Sequence, residues 1–85
     1  MSTHDLAPLV DLASTLARRL VDHPDDVAVS NRAGNDGSET LLVRVHADDF
    51  GQVIGRQGRT ARALRTIVKH AAARRGMRVS LEIAE

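Results

Sequence analysis

Two glycines three residues apart, Gly55 and Gly58, interrupt an otherwise helical pattern and leave a four-residue turn between a short apolar run and a long basic one. Glycine lacks a Cβ, so the chain can turn there through left-handed torsions and come close to another backbone. The spacing therefore predicts a short helix over Phe50 to Ile54, cut off by Gly55, and a second helix starting at Arg59. In that second helix Ala61, Leu64, Ile67, Val68 and Ala71 gather on one side at about 100° per residue, while Arg62, Arg65 and Lys69 form a stripe on another. Gly76 stands where such a helix would stop after about Arg74.

The remaining pattern says what packs around this pair. Leu6, Leu9, Val10, Ala13, Leu16, Ala17, Leu20 and Val21 recur at three- and four-residue spacing, predicting a helix from about Asp5 to Asp22. Thr3 or Asp5 can cap its start, Pro8 is tolerated in a first turn, and Pro24 ends it. Val27 to Arg32 reads as a short strand, Gly34 to Ser38 as a turn, and Leu41, Val43 and Val45 alternate with Leu42, Arg44 and His46 as a second strand of a hairpin. From Met77 to Ala84 apolar and polar residues alternate again, giving a third strand. Asp48 and Asp49 are expected to cap a helix start, and Phe50 to sit in the core.

The order is helix, strand, strand, short helix, glycine turn, helix, strand. A hairpin makes the first two strands antiparallel, and a right-handed helical crossover makes the second and third parallel. The expected fold class is α+β: a three-stranded mixed sheet with helices packed on one face, in two layers. At 85 residues the chain fits one domain, residues 1–85, that buries only roughly 60 to 65% of its unfolded surface, so oligomerisation or a partner would help it.

Composition removes whole classes of function. With no cysteine there is no disulfide framework, thiolate metal site or cysteine nucleophile, which fits a reducing compartment. No apolar run approaches the ~18 residues of a membrane span, and Met1 to Asp5 does not resemble a signal peptide, so the expected location is cytoplasmic. His4, His23, His46 and His70 show no metal-ligand spacing, and no carboxylate pair or Ser-His-Asp arrangement is visible. Thr60 is expected to serve near a helix start rather than in catalysis. Neither phosphate-loop nor dinucleotide glycine patterns occur. No enzyme, metal or cofactor is expected. Phe50 is the only aromatic side chain among Phe, Trp and Tyr, so stacking platforms of the kind that RRM and OB-fold binders use are absent.

Charge is divided along the chain although its net value is only +1. Residues 1–43 are acidic on balance. Val53 to Leu81 carries Arg56, Arg59, Arg62, Arg65, Lys69, Arg74, Arg75 and Arg78 and no carboxylate. Such a field suits a polyanion, although a solvated helix face has the same composition. The glycine turn sharpens the choice. Amides at the start of the following helix lack intrahelical partners and carry partial positive charge, Arg56 and Arg59 add full charges, and Gln57 can donate or accept. The combination is a clamp for a sugar-phosphate backbone.

Val53-Ile54-Gly55-Arg56-Gln57-Gly58 resembles the signature of KH domains, an apolar pair followed by G-x-x-G with a basic residue in the loop. The element order, α-β-β-α-α-β, resembles the type II KH fold. The longer run VIGRQGRTARALR, with the short chain length, is similar to the KhpA family of small single-KH bacterial proteins. The resemblance implies a binder of single-stranded RNA, such as a post-transcriptional regulator or RNA chaperone. It implies that Gly55, Arg56, Gln57 and Gly58 contact the RNA backbone, that Val53 and Ile54 line an apolar groove floor, and that Arg59, Arg62 and Lys69 hold phosphates. It also implies a homodimer, or a heterodimer with a larger KH-containing protein of the KhpB (Jag) type. The candidate dimer surfaces are the first helix and Ala71 to Ala73.

Two other readings stay open. One is a protein-interaction module that uses this scaffold to dimerise or to dock on a larger partner. The other is a DNA-binding helix-turn-helix, which the shortness of the first helix and the flanking strands disfavour.

Overall fold

The computed structural model describes residues 5–85. Helix α1 spans Ala7–Leu20 and strands β1 and β2 span Ala28–Ala33 and Glu39–Arg44. Helices α2 and α3 span Ala47–Ile54 and Arg59–Ala73, and β3 spans Val79–Ala84. The sheet order is β1-β2-β3. β1 pairs with β2 antiparallel, Ser30 opposite Leu42, and β2 with β3 parallel, Leu41 opposite Leu81. The two-layer α+β arrangement expected from the patterning is the one observed, with three helices against a three-stranded mixed sheet.

The register decides which strand residues meet the helices. Side chains alternate across a strand, so Leu41 and Val43 of β2 point the same way as Val79 and Leu81 of β3, and all four are buried. They meet Leu9, Ala13 and Ala17 of α1, Val53 of α2, and Leu64, Val68 and Ala72 of α3. On the far side Thr40 Oγ1 lies 3.2 Å from Ser80 Oγ, and Arg32 Nη2 lies 3.4 Å from Glu82 Oε2, which marks that face as polar.

Several element ends differ from the expectation, each for a local reason. Asp5 Oδ1 accepts from the Ala7 N–H at 3.0 Å, so Asp5 serves the start of α1; Thr3 lies outside the described residues. α1 stops at Leu20, two residues before the predicted end, and Pro24 belongs to a short 3-10 turn. The Leu20 carbonyl accepts from Gln52 Nε2 of α2 at 2.6 Å, a tertiary tie that satisfies one helix end. α2 begins three residues earlier than predicted because His46, not an aspartate, is its N-cap: Nδ1 accepts from the Asp48 N–H at 3.0 Å.

The caps expected at Asp48 and Asp49 are therefore corrected. Asp49 is 1% exposed and serves another segment altogether. Ile67, placed on the core face by periodicity, is 45% exposed. Phe50 is half-buried against the core. At the far end of α3, Gly76 has φ +72°, its N–H donates to the Ala73 carbonyl, and the Met77 N–H donates to the Ala72 carbonyl. This is the Schellman stop that the glycine announced.

Candidate nucleic-acid interface

The glycine turn is built by torsions that only its own sequence permits. Gly55 (φ +79°) closes α2, its N–H donating to the Gly51 carbonyl at 2.9 Å. Arg56 to Gly58 make one 3-10 turn, closed by the Gly58 N–H on the Gly55 carbonyl at 3.1 Å. Gln57 sits at φ +57°, the sole non-glycine residue with positive φ among those described, and Gly58 at φ +74°.

Both glycines have positive φ, and Gly55 is needed for a second reason as well. A Cβ on Gly55 would stand 2.8 Å from Thr60 Cβ and 2.9 Å from Thr60 N, closer than real Cβ contacts come. Thr60 therefore acts near the helix start as expected, by filling the space that glycine leaves. A Cβ on Gly58 would meet nothing within 4 Å, so only its left-handed torsion asks for glycine.

Around the turn the predicted residues fall into two groups. Arg56, Gln57, Arg59, Arg62 and Lys69 are exposed, while Gly55, Gly58 and Ile54 are half-buried. None of Arg56, Arg59, Arg62 or Lys69 is in an ion pair among the described residues. Arg59 Nη2 donates to Gln57 Oε1 at 3.3 Å, which keeps both side chains beside the turn. No side chain caps α3, and its first amide, Arg59 N–H, donates to the Arg56 carbonyl. Val53 is 0% exposed, so it supports the turn from beneath instead of presenting a surface.

The two flanks of α3 carry different chemistry. Arg65 Nε donates to the Leu81 carbonyl of β3 at 3.1 Å, which turns Arg65 toward the sheet edge, while Arg62 lines an open depression with Arg59, Ala63, Thr66 and Ile67. Lys69 then borders a shallow depression with Met77, Val79, Arg78 and Ser38. Ala63 and Ile67 also line a mostly apolar groove with Leu16, Arg19 and Leu20 of α1. Periodicity separated the basic stripe from the apolar face, but it could not show that Ile67 lies outside the core. Helix packing uses a narrower arc than the apolar residues occupy.

The sequence profile of the KhpA/KhpB KH domain matches residues 10–83. The chain belongs to this KH-domain family. The RNA-binding protein KhpA of Halalkalibacterium halodurans is 51% identical over 75 residues, covering 87% of this chain and 96% of that protein. That of Streptomyces coelicolor is 58% identical over 66 residues, covering 78% and 81%. The chain also resembles part of a larger protein of known structure. Era, in complex with MgGDPNP and nucleotides 1506–1542 of 16S ribosomal RNA, superposes with a TM-score of 0.61 at 15% identity, over 95% of this chain and 31% of the Era chain. This likeness bears on the fold alone. Among the described residues no helix is long and apolar enough to cross a membrane.

Sequence reasoning passed over one cluster. His23 and His46, distant in the chain, stack with ring centroids 4.1 Å apart and 15° between planes. Asp49 accepts from the N–H groups of Asp22 (3.2 Å) and His23 (3.0 Å) and lies 3.0 Å from His23 Nδ1. That hydrogen bond and the nearby carboxylates, Asp49 first, hold the His23 pKa above its ordinary value, against desolvation. Burial alone would raise the Asp49 pKa. The hydrogen bonds from the His23 ring and the two backbone N–H groups outweigh it and hold that carboxyl below its usual range. Spacing could not find this pair, since only the fold brings residues 23 and 46 together.

Proposed function

We propose that this chain binds single-stranded RNA by holding its sugar-phosphate backbone at the Gly55–Gly58 turn. The observation that carries this reading is the glycine turn itself: a backbone without side chains at Gly55 and Gly58 and a start of α3 that no side chain caps, set among four cations that have no ion-pair partner among the described residues. Gly55, Arg56, Gln57 and Gly58 contact the backbone, Arg59, Arg62 and Lys69 hold successive phosphates along α3, and Ile54 forms an apolar wall supported by Val53. KH modules clamp about four nucleotides in this way. The KhpA relatives are named RNA-binding proteins, which supports RNA as the ligand. A post-transcriptional regulator or RNA chaperone is the role that such loose, backbone-centred recognition suits.

One groove of this size gives modest affinity, and two linked grooves gain by effective concentration. The chain accordingly works as a homodimer, or paired with a larger KH-containing protein of the KhpB type. Exposed Ile67 and the apolar groove between α1 and α3 favour this, and they would equally suit a protein-interaction module.

Fluorescence anisotropy of labelled single-stranded RNA tests the reading. Arg56→Asp with Gln57→Asp places two anions at the turn and should abolish binding while circular dichroism stays unchanged. Wild-type affinity should fall steeply between 50 and 200 mM salt, since phosphate contacts release counterions. Equal affinity in the folded double variant removes the turn from the mechanism.

A further inference from the structure

The segments 20–31 and 45–55 meet at a corner that carries Asp22, Asp25, Asp26, Asp48 and Asp49 and neither lysine nor arginine. That composition draws cations and repels phosphate, which separates the corner from the basic turn at the other end of α2. Its donors come from three places: His23 from the turn after α1, His46 from the N-cap of α2, and Asp48 from the first turn of α2. One ligand atom from each lies within 4.8 Å of the others, and His46 Nδ1 is 3.7 Å from Asp48 Oδ2. We propose that His23, His46 and Asp48 form a binding site for a late first-row transition-metal ion such as Zn²⁺.

Three features support the site beyond proximity. His23 Nδ1 faces the buried Asp49 carboxylate at 3.0 Å, the carboxylate–histidine arrangement that orients an imidazole and leaves Nε2 to ligate. All three side chains reach solvent, with 42%, 37% and 77% of the His23, His46 and Asp48 side chains exposed, so an ion can enter and keep water in its remaining positions. Two imidazoles and one carboxylate match Zn²⁺, Cu²⁺ or Ni²⁺ in ligand type, not Mg²⁺ or Ca²⁺, which take oxygen ligands. Two rings can share an ion only if it lies in both ring planes, so loading turns His23 and His46 out of their stack. It also takes His46 Nδ1 from the Asp48 N–H, or forces the other tautomer, so binding opposes the α2 cap.

The test is isothermal titration of the untagged full chain with Zn²⁺, followed by NMR of the imidazole protons. The expected result is one saturable ion per chain and a shift of the His23 and His46 ring signals as the stack opens. Affinity should fall at least tenfold in His46→Asn, where asparagine still caps α2, and likewise in His23→Gln. His4→Gln with His70→Gln should bind as wild type does. Absence of saturable binding, undiminished binding in both folded His46→Asn and His23→Gln, or loss of binding in the His4, His70 double variant overturns the proposal.

Discussion

Asp49 holds His23 twice through the same oxygen, Oδ2 lying 3.0 Å from both its backbone N and its Nδ1. An acidic residue at this third position of a helix commonly reaches back to its own N-cap. Here it crosses to the turn after α1 and takes the Asp22 N–H as well. Removing it leaves three donors without their acceptor at a part-buried site, a deficit that water repairs incompletely. Asp49→Ala should therefore lower the urea midpoint far more than Asp48→Ala, whose carboxylate is exposed. Equal midpoints for the two variants would show that Asp49 is not the tie between α1 and α2.

The same pair sets a pH dependence at both ends of the range. His23 has a raised folded pKa, so its contribution is complete below about pH 6.5, its unfolded value, and is lost as pH rises through the folded value. Asp49 has a depressed folded pKa, so its contribution is present above about pH 4 and is lost as pH falls through the folded value. Melting curves of wild type and His23→Gln should diverge most near pH 6 and converge toward pH 9. A gap that stays constant over that range would exclude the ionic contribution of His23.

Gly55 and Gly58 should respond differently to the same change. Gly58→Ala adds a side chain to open space and should cost about 1 to 2 kcal/mol for its left-handed torsion. Gly55→Ala puts a side chain at φ +79°, ψ 173°, a region essentially confined to glycine, adds a collision with Thr60 and should cost more, with Thr60→Gly in the same chain recovering part of the loss. Chemical denaturation of the three variants measures this, and equal costs for both glycines would contradict the close approach at Gly55.

Leu64 and Ile67 are neighbours on α3 with opposite exposure. Leu64→Asp buries a charge in the core and should leave the chain unfolded at 25 °C. Ile67→Asp should keep the fold, changing stability by less than about 1 kcal/mol, and should weaken the homodimer proposed above, as read by sedimentation. Unfolding of Ile67→Asp would place that side chain in the core after all.

At the buried centre, Leu41 is 0% exposed at the middle of β2, between two strands and beneath the helices. Leu41→Ala should cost about 2 to 5 kcal/mol in denaturant unfolding, a large part of the stability of so small a core. A loss below 1 kcal/mol would mean that the neighbouring side chains collapse into the space.

Much of this architecture can be read along the chain because its causes are local. The alternation of Leu41, Val43, Val79 and Leu81 sets strands and their inward faces, Gly76 sets a helix stop, and the Gly55–Gly58 pair with its basic flank sets the turn at which RNA is proposed to bind. Charge and sterics of nearest neighbours suffice for these. Other features depend on residues far apart in sequence meeting in space. The Asp49 side chain binds residues 22 and 23 because the segment after α1 returns across α2, a contact that no period encodes. Ile67 stays outside because α1 and the sheet leave part of the apolar arc of α3 uncovered. Element types, their order and the chemistry of the turn are written locally, since torsional preference and hydrophobic periodicity act over a few residues. Which apolar side chain remains exposed and which carboxylate is buried follows from the assembled fold, because burial depends on what packs opposite.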